Sequence, residues 1–180
     1  MTDLQKFAFW LVHCEDFQNA LTQTLGNMSG VEDFENFAKH FNAKNTIDKD
    51  GTLTGEQLIV YGVSFDQPIL LKDATIKERE GLPCKFGKEF IGNIPQEAGV
   101  YAWVFDNELV YIGEAKDLQS RVRNYSSPGN RATAKKINKA ITDALSKGEN
   151  VEFYYYQTNK HLDVENVLLA QWKPRLNGKQ

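Results

Sequence analysis

Tyr101 and Tyr111 stand ten residues apart, each inside a short apolar run, Gly99–Phe105 and 109–113. Asp106-Asn107-Glu108 supplies a polar turn between the runs, so the runs are expected to pair as adjacent strands and bring the two phenols together. Two phenols held beside Gly113 are a place for acid–base chemistry. Arg121 and Tyr125 follow four residues apart and share one helix face. Leu118 and Val122 lie on a neighbouring face that can pack on the sheet, which turns Arg121 toward the edge that carries the tyrosines.

The elements that must position these residues read as strand, strand, helix, helix, strand, helix. The first helix is expected over 116–125, ended by Ser126-Ser127-Pro128-Gly129. The second, over 132–147, closes at Gly148, a C-cap glycine. The third strand, Val151–Gln157, is rich in aromatic and β-branched residues. The last helix, over 162–172, stops before Pro174 and has Thr158 or Asn159 available as N-cap. Upstream, residues 1–44 show helical spacing, broken by Gly26-Asn27-Met28-Ser29-Gly30. Residues 57–71 read as β, and 72–97 are polar and rich in turn residues, which places a domain boundary there and divides the chain into 1–92 and 93–180.

The strings Gly99-Val100-Tyr101 and Tyr111-Ile112-Gly113, Lys116-Asp117-Leu118, Arg121 eight residues past Gly113, Tyr125, and Glu165 followed twelve residues on by Asn177 resemble the GIY-YIG nuclease family over residues 98–177. The branch they resemble is the N-terminal nuclease domain of the bacterial excinuclease C subunit. Valine replaces isoleucine in the first string, and Glu114 stands where lysine or arginine is common. The resemblance implies an α+β domain, with a three-stranded, mostly antiparallel sheet flanked by helices in the order β-β-α-α-β-α, after an acidic α/β region. It implies metal-dependent hydrolysis of DNA phosphodiesters, one strand per active site, in a restriction, phage-type or repair setting.

By the same resemblance Tyr101 takes the proton of the attacking water, and it needs help, because a free phenol has a pKa near about 10. Tyr111, a nearby cation or the water around the metal could give that help. Arg121 presents a planar fork of donors that matches a phosphate. Glu165 is a hard oxygen ligand suited to Mg²⁺ or Mn²⁺. Tyr125 and Lys116 orient groups and contact phosphate, and Asn177 ties the C-terminal segment to the hairpin. A domain that keeps the fold without the chemistry, as a nucleic-acid-binding module or a regulatory partner, is the competing reading.

Charge distribution points to nucleic acid as well. The 180-residue chain has a net charge of −3, but residues 1–92 carry 9 basic and 14 acidic side chains while 93–180 carry 12 and 10. Arg121, Arg123, Arg131, Lys135, Lys136 and Lys139 follow one another with no acid between them, a tract that a phosphate backbone attracts. The acidic first half suits an accessory, target-recognition or protein-docking role. No apolar run approaches the roughly 20 residues of a membrane span. The N-terminus does not read as a signal peptide. Cys14 and Cys84 make no disulfide framework and suit a reducing cytoplasm, and His13, His40 and His161 have no zinc spacing. Asp48-Lys49-Asp50-Gly51 resembles the core of a Ca²⁺ loop, but Thr46 and Gln57 occupy its outer ligand positions, so a polar turn is expected. Alternation along a strand separates Tyr154, Tyr155 and Tyr156, and Asp163 does not share a helix face with Glu165.

Overall fold

A computed structural model describes residues 46–48, 50–55, 57–60, 63–76, 83–171 and 173–178. The two helices expected in 1–44 lie outside the described residues. The order along the chain is β1 (Ile59–Val60), β2 (Val63–Ser64), β3 (Ile69–Leu70), α1 (Lys88–Gly92), β4 (Gly99–Phe105), β5 (Glu108–Ala115), α2 (Leu118–Ser126), α3 (Ala132–Ser146), β6 (Val151–Gln157) and α4 (His161–Gln171). From β4 onward this is the β-β-α-α-β-α order expected.

The hairpin turns on two residues, Asp106 at φ 42° and Asn107 at φ 69°. Both angles are positive, as a tight primed turn requires, and Asp and Asn tolerate them better than other non-glycine residues. Glu108 therefore belongs to β5, paired with Phe105, rather than to the turn. Asp117 caps α2 by accepting from Ser120 N–H at 2.8 Å, so that helix begins at Leu118. Gly148, at φ 80°, ends α3: its N–H reaches Leu145 O and Glu149 N–H reaches Ala144 O, both at 3.1 Å. This is the crossed pair of bonds of a Schellman cap.

The sheet has four strands in the order β3-β6-β4-β5, each pair antiparallel. The expected three gain β3, whose Ile69 and Leu70 pair with Phe153 and Glu152. Packing also runs across residue 92. Cys84 N–H donates to Asn138 Oδ1 of α3, Phe86 N–H to Ser126 Oγ of α2, and Phe86 and Phe90 pack against Trp103.

Both faces of the sheet are covered, which is why all seven residues of β4 are buried. One face presents Tyr101, Trp103, Phe105 and Phe153 to Leu118, Val122 and Tyr125 of α2 and to Ala134, Ile137, Ile141 and Ala144 of α3. The α3 residues recur at helical spacing, one apolar stripe on an otherwise polar helix. The opposite face presents Val100, Ala102, Val104 and Ile112 to Val164 and Leu168 of α4 and to Leu58, Val60, Val63 and Phe65. Each fully buried Val, Leu or Ile side chain here contributes about 1.5–3 kcal/mol.

Candidate active site

Tyr101 lies opposite Gly113 in the hairpin, and its ring occupies the space a side chain there would fill. A Cβ at position 113 would overlap the Tyr101 hydroxyl and come within 2.7 Å of Tyr111 Cε1. Glycine is needed for this close approach. Tyr111 joins Tyr101 through a break in register. Trp103 pairs with Tyr111 while Val104 pairs with Leu109, so Val110 is an extra residue in β5. Strict alternation from Leu109 would send Tyr111 to the aliphatic face; the bulge restores it to the tyrosine face. The Tyr101 and Tyr111 ring centres then lie 6.1 Å apart. Tyr125 enters from α2, with its ring centre also 6.1 Å from that of Tyr101 and the two hydroxyls joined by a short hydrogen bond. Asn138 holds this turn of α2 from behind, donating to Tyr125 O at 2.9 Å.

The three phenols differ in access. Tyr101 and Tyr125 are each 1% exposed, whereas Tyr111 is half-buried. Burial pushes the Tyr101 hydroxyl well above the ordinary phenol range, and the neighbouring phenols add to the rise. Burial raises Tyr125 and Tyr111 too, and the charge of Glu165 adds to the rise at Tyr111. All three are neutral hydroxyls at ordinary pH, of which Tyr111 is nearest to solvent.

A charged rim adjoins this cluster at the β5 edge of the sheet. Arg121 stands one turn before Tyr125, with its side chain 40% exposed and Nη2 3.8 Å from Glu114 Oε1. Glu114 shares the aliphatic face with Ile112, and its Oε2 lies 2.7 Å from Nδ1 of His161, a residue only 7% exposed. His161 Nδ1 is buried and makes no hydrogen bond, so this is a short approach of carboxylate to imidazole. His161 and Glu165 are one turn apart on α4 and so share a face. The Glu165 carboxylate lies within electrostatic reach of the Glu114 backbone N–H, which favours its charged form. Its pKa is raised, first by burial and then by the Glu114 charge, with Arg121 opposing. Glu114 and His161 were not among the expected site residues. Glu114 was visible only as a departure beside Gly113, and His161 only as one of three histidines without zinc spacing, one residue ahead of the helix expected over 162–172.

Asn177 makes a paired contact with the edge strand: Ile112 N–H donates to its Oδ1 at 2.9 Å and its Nδ2 donates to Ile112 O at 2.6 Å. Leu176 N–H meets the carbonyl of the bulge residue Val110 at 3.0 Å. Tyr125 is sealed behind Tyr101, so of orientation and phosphate contact only orientation is open to it in this arrangement. Lys116 is exposed where β5 leads into α2. Arg123 is exposed and donates to Gln119. Arg131 and Lys135 are exposed at the start of α3.

The structure does not bring Lys136 and Lys139 to the tyrosines. They line a cleft of about 710 Å³ with Asp106, Glu108, Asp143 and Arg175, at the hairpin-turn end of the sheet. That end is about 13 Å along β4 from Tyr101, at about 3.3 Å per residue. Lys136 donates to Gly178 O at 3.0 Å, and Lys139 pairs with Asp143 at 2.6 Å. Sequence proximity to Arg121 did not reveal these intramolecular partners.

Among the described residues no three His, Cys, Asp or Glu side chains gather as a metal cage. Glu165 fits a different kind of site, in which one carboxylate meets a hard cation and water and phosphate oxygens complete the shell, as is usual for Mg²⁺. The Asp48 carboxylate is used locally, accepting from Asp50 N–H at 2.9 Å and Thr52 N–H at 2.8 Å, with Gly51 at φ 83°. This is the polar turn expected there.

The family model described as the UvrC-like GIY-YIG domain matches residues 97–178. The UvrABC system protein C of Acidobacterium capsulatum is 39% identical over 94 residues, which cover 50% of this chain and 14% of that protein. That of Helicobacter hepaticus is 33% identical over 92 residues, 48% of this chain and 15% of that protein. The chain thus spans about one-seventh of the length of these relatives. A solved structure of a bacteriophage T4 EndoII mutant covers 60% of this chain and 90% of its own, with 24% identity and a TM-score of 0.43.

Proposed function

Because residues 97–178 are a GIY-YIG nuclease domain, we propose that this protein is an endonuclease that hydrolyses DNA phosphodiesters at the Gly113 edge of its sheet, with a divalent metal ion on Glu165 and one strand cut per active site. The observation that supports this best is the meeting of three phenols, the Arg121 guanidinium and the Glu165 carboxylate, supplied by β4, β5, α2 and α4, at the edge of the sheet where Gly113 makes room. When bound, Mg²⁺ or Mn²⁺ would polarise a phosphate oxygen and ease departure of the leaving oxygen.

The protein's own groups divide the remaining work. Arg121, half-exposed, offers its fork to the phosphate and to the charge that grows in the transition state. Tyr111 has the hydroxyl nearest solvent and within the influence of both Arg121 and Glu165. It meets the attacking water. Tyr101, sealed and well above the ordinary phenol range, stands second: it orients Tyr111 and Tyr125 and takes a proton only by passing one on. This moves the water-facing role from Tyr101, where the family resemblance puts it, to Tyr111. Lys116, Arg123, Arg131 and Lys135 are exposed for contact with the DNA backbone.

The test is incubation of purified protein with supercoiled plasmid and Mg²⁺ or Mn²⁺. Nicked circles that form before linear product, and that vanish with chelator, are the expected result. Binding without cutting in either metal would instead identify a nucleic-acid-binding module that has kept the fold.

A further inference from the structure

We propose that Glu114 is a positioning residue, which holds the Arg121 guanidinium at the mouth of the phenol cluster while being anchored by His161. The two carboxylate oxygens face different partners: Oε1 is 3.8 Å from Arg121 Nη2, and Oε2 is 2.7 Å from His161 Nδ1. The anchor is fixed, since His161 is 7% exposed on the first turn of α4 and its neighbour Val164 is fully buried. Arg121, by contrast, has a side chain 40% exposed and no other carboxylate within ion-pair distance among the described residues. A long, half-exposed side chain loses rotamer freedom when it is held, and only a nearby opposite charge makes that favourable before substrate binds.

The backbone supports the same assignment. Glu114 directly follows Gly113 in β5, so its position is set by the residue that admits Tyr101. Its backbone N–H favours the charged form of the Glu165 carboxylate while its side chain reaches Arg121. One residue thus stands between the anionic and cationic arms of the site. It also joins the two faces of the sheet, since Arg121 comes from the helix over the tyrosines and His161 from the helix over the aliphatic face. At 3.8 Å the Arg121 contact is an ion pair without close hydrogen bonds, so a phosphate can take the fork without first breaking a tight bidentate pair.

The consequence for cleavage rests on the nuclease reading; the hold on Arg121 does not. Glu114→Gln keeps the shape and an oxygen facing His161 but removes the charge. In single-turnover cleavage at saturating DNA, its rate is expected to fall by about 10²-fold, the effect of misplacing a catalytic group by about 1 Å, with DNA affinity within about twofold of wild type. Adding Arg121→Lys should then remove much less than it does alone. Glu114→Asp, which keeps the charge one methylene shorter, should fall between the two. The second arm needs no DNA: side-chain ¹⁵N spectra of the free protein should show Arg121 Nε shifted, with faster proton exchange, in Glu114→Gln. An unchanged Arg121 signal, or fully additive rate losses, overturns the proposal. If the wild type cuts no DNA in any metal the nuclease reading fails, and the spectra still decide whether Glu114 holds Arg121.

Discussion

The two faces of the sheet are equally dry and chemically opposite. Beneath α4, Val100, Ala102, Val104 and Ile112 bury hydrocarbon against hydrocarbon. Beneath α2 and α3, the same strands bury phenols, and Tyr101 and Tyr125 lose water from hydroxyls that must then find partners. A buried hydroxyl left unpaired costs about 1–3 kcal/mol, and here the two hydroxyls satisfy each other. The tyrosine face therefore gathers phenols where water cannot screen them, whereas the buried phenol of the aliphatic face, Tyr154, turns its hydroxyl to Glu152 at 3.3 Å, away from any such cluster. Function and stability should separate accordingly under mutation.

The largest effect is expected at the meeting point of the faces. Glu165→Gln should abolish cleavage and leave DNA binding nearly intact. Stability should change the other way. Because the folded protein raises this carboxyl's pKa, its contribution to stability is full below the ordinary carboxylate value and is lost as pH rises through the raised folded value. The Gln variant should accordingly melt no lower than wild type at neutral pH in chelator, and added Mg²⁺ should raise the Tm of wild type alone. A metal-induced shift of equal size in both would remove Glu165 as the ligand.

On the tyrosine face, Tyr111→Phe should slow single-turnover cleavage by about 10²–10⁴-fold, and Tyr101→Phe by less. Phenylalanine at 101 leaves Tyr125 without its partner, so this variant should also lose about 1 kcal/mol in denaturant unfolding. If Tyr101→Phe proves the slower of the two, the base belongs at Tyr101 after all.

The aliphatic face should show the converse. Leu168→Ala is expected to lose about 2–5 kcal/mol of stability while its folded fraction cuts at the wild-type rate. A rate loss at saturating DNA, measured well below its Tm, would break the division between the faces.

The smallest effect concerns the basic tract. Replacing Arg131 and Lys135 with Ala should make the slope of log affinity against log salt shallower by about one unit each. Replacing Lys136 and Lys139, which bind Gly178 and Asp143 instead, should leave the slope unchanged.

Local signals in the sequence carried most of the second half. Turn residues at 106–107, the cap glycine at 148 and the β-branched run at Val151–Gln157 each act within a few residues, and the elements they mark are where they were expected. Long-range pairing was less legible. Ile69 and Leu70 read as β but show nothing of their partners in β6, some eighty residues on. The polar stretch before residue 93 resembles a linker by composition, yet Cys84 and Phe86 are bonded into α3 and α2 through single buried side chains. The candidate site divides in the same way. Spacing found Tyr101, Tyr111, Arg121, Tyr125 and Glu165. The bulge at Val110 and the contact of Glu114 with His161 depend on how β5 and α4 meet, and no local pattern records that.

The Val110 bulge and the C-terminal segment have one more consequence, for how the protein behaves in company. β5 is an outermost strand, and a bare strand edge is a template on which another chain can add itself. Here the outward groups are taken in turn: Leu109 N–H by Gly51, the Val110 carbonyl by Leu176, and both polar groups of Ile112 by Asn177. The next outward N–H, at Glu114, stands within electrostatic reach of the Glu165 carboxylate, whose charged form it favours. The protein's defence against sticking to copies of itself thus ends where its proposed chemistry begins. A chain cut after Pro174 should associate as its concentration rises in light scattering, while Glu165→Gln, which keeps Leu176 and Asn177 on the edge, should remain dispersed.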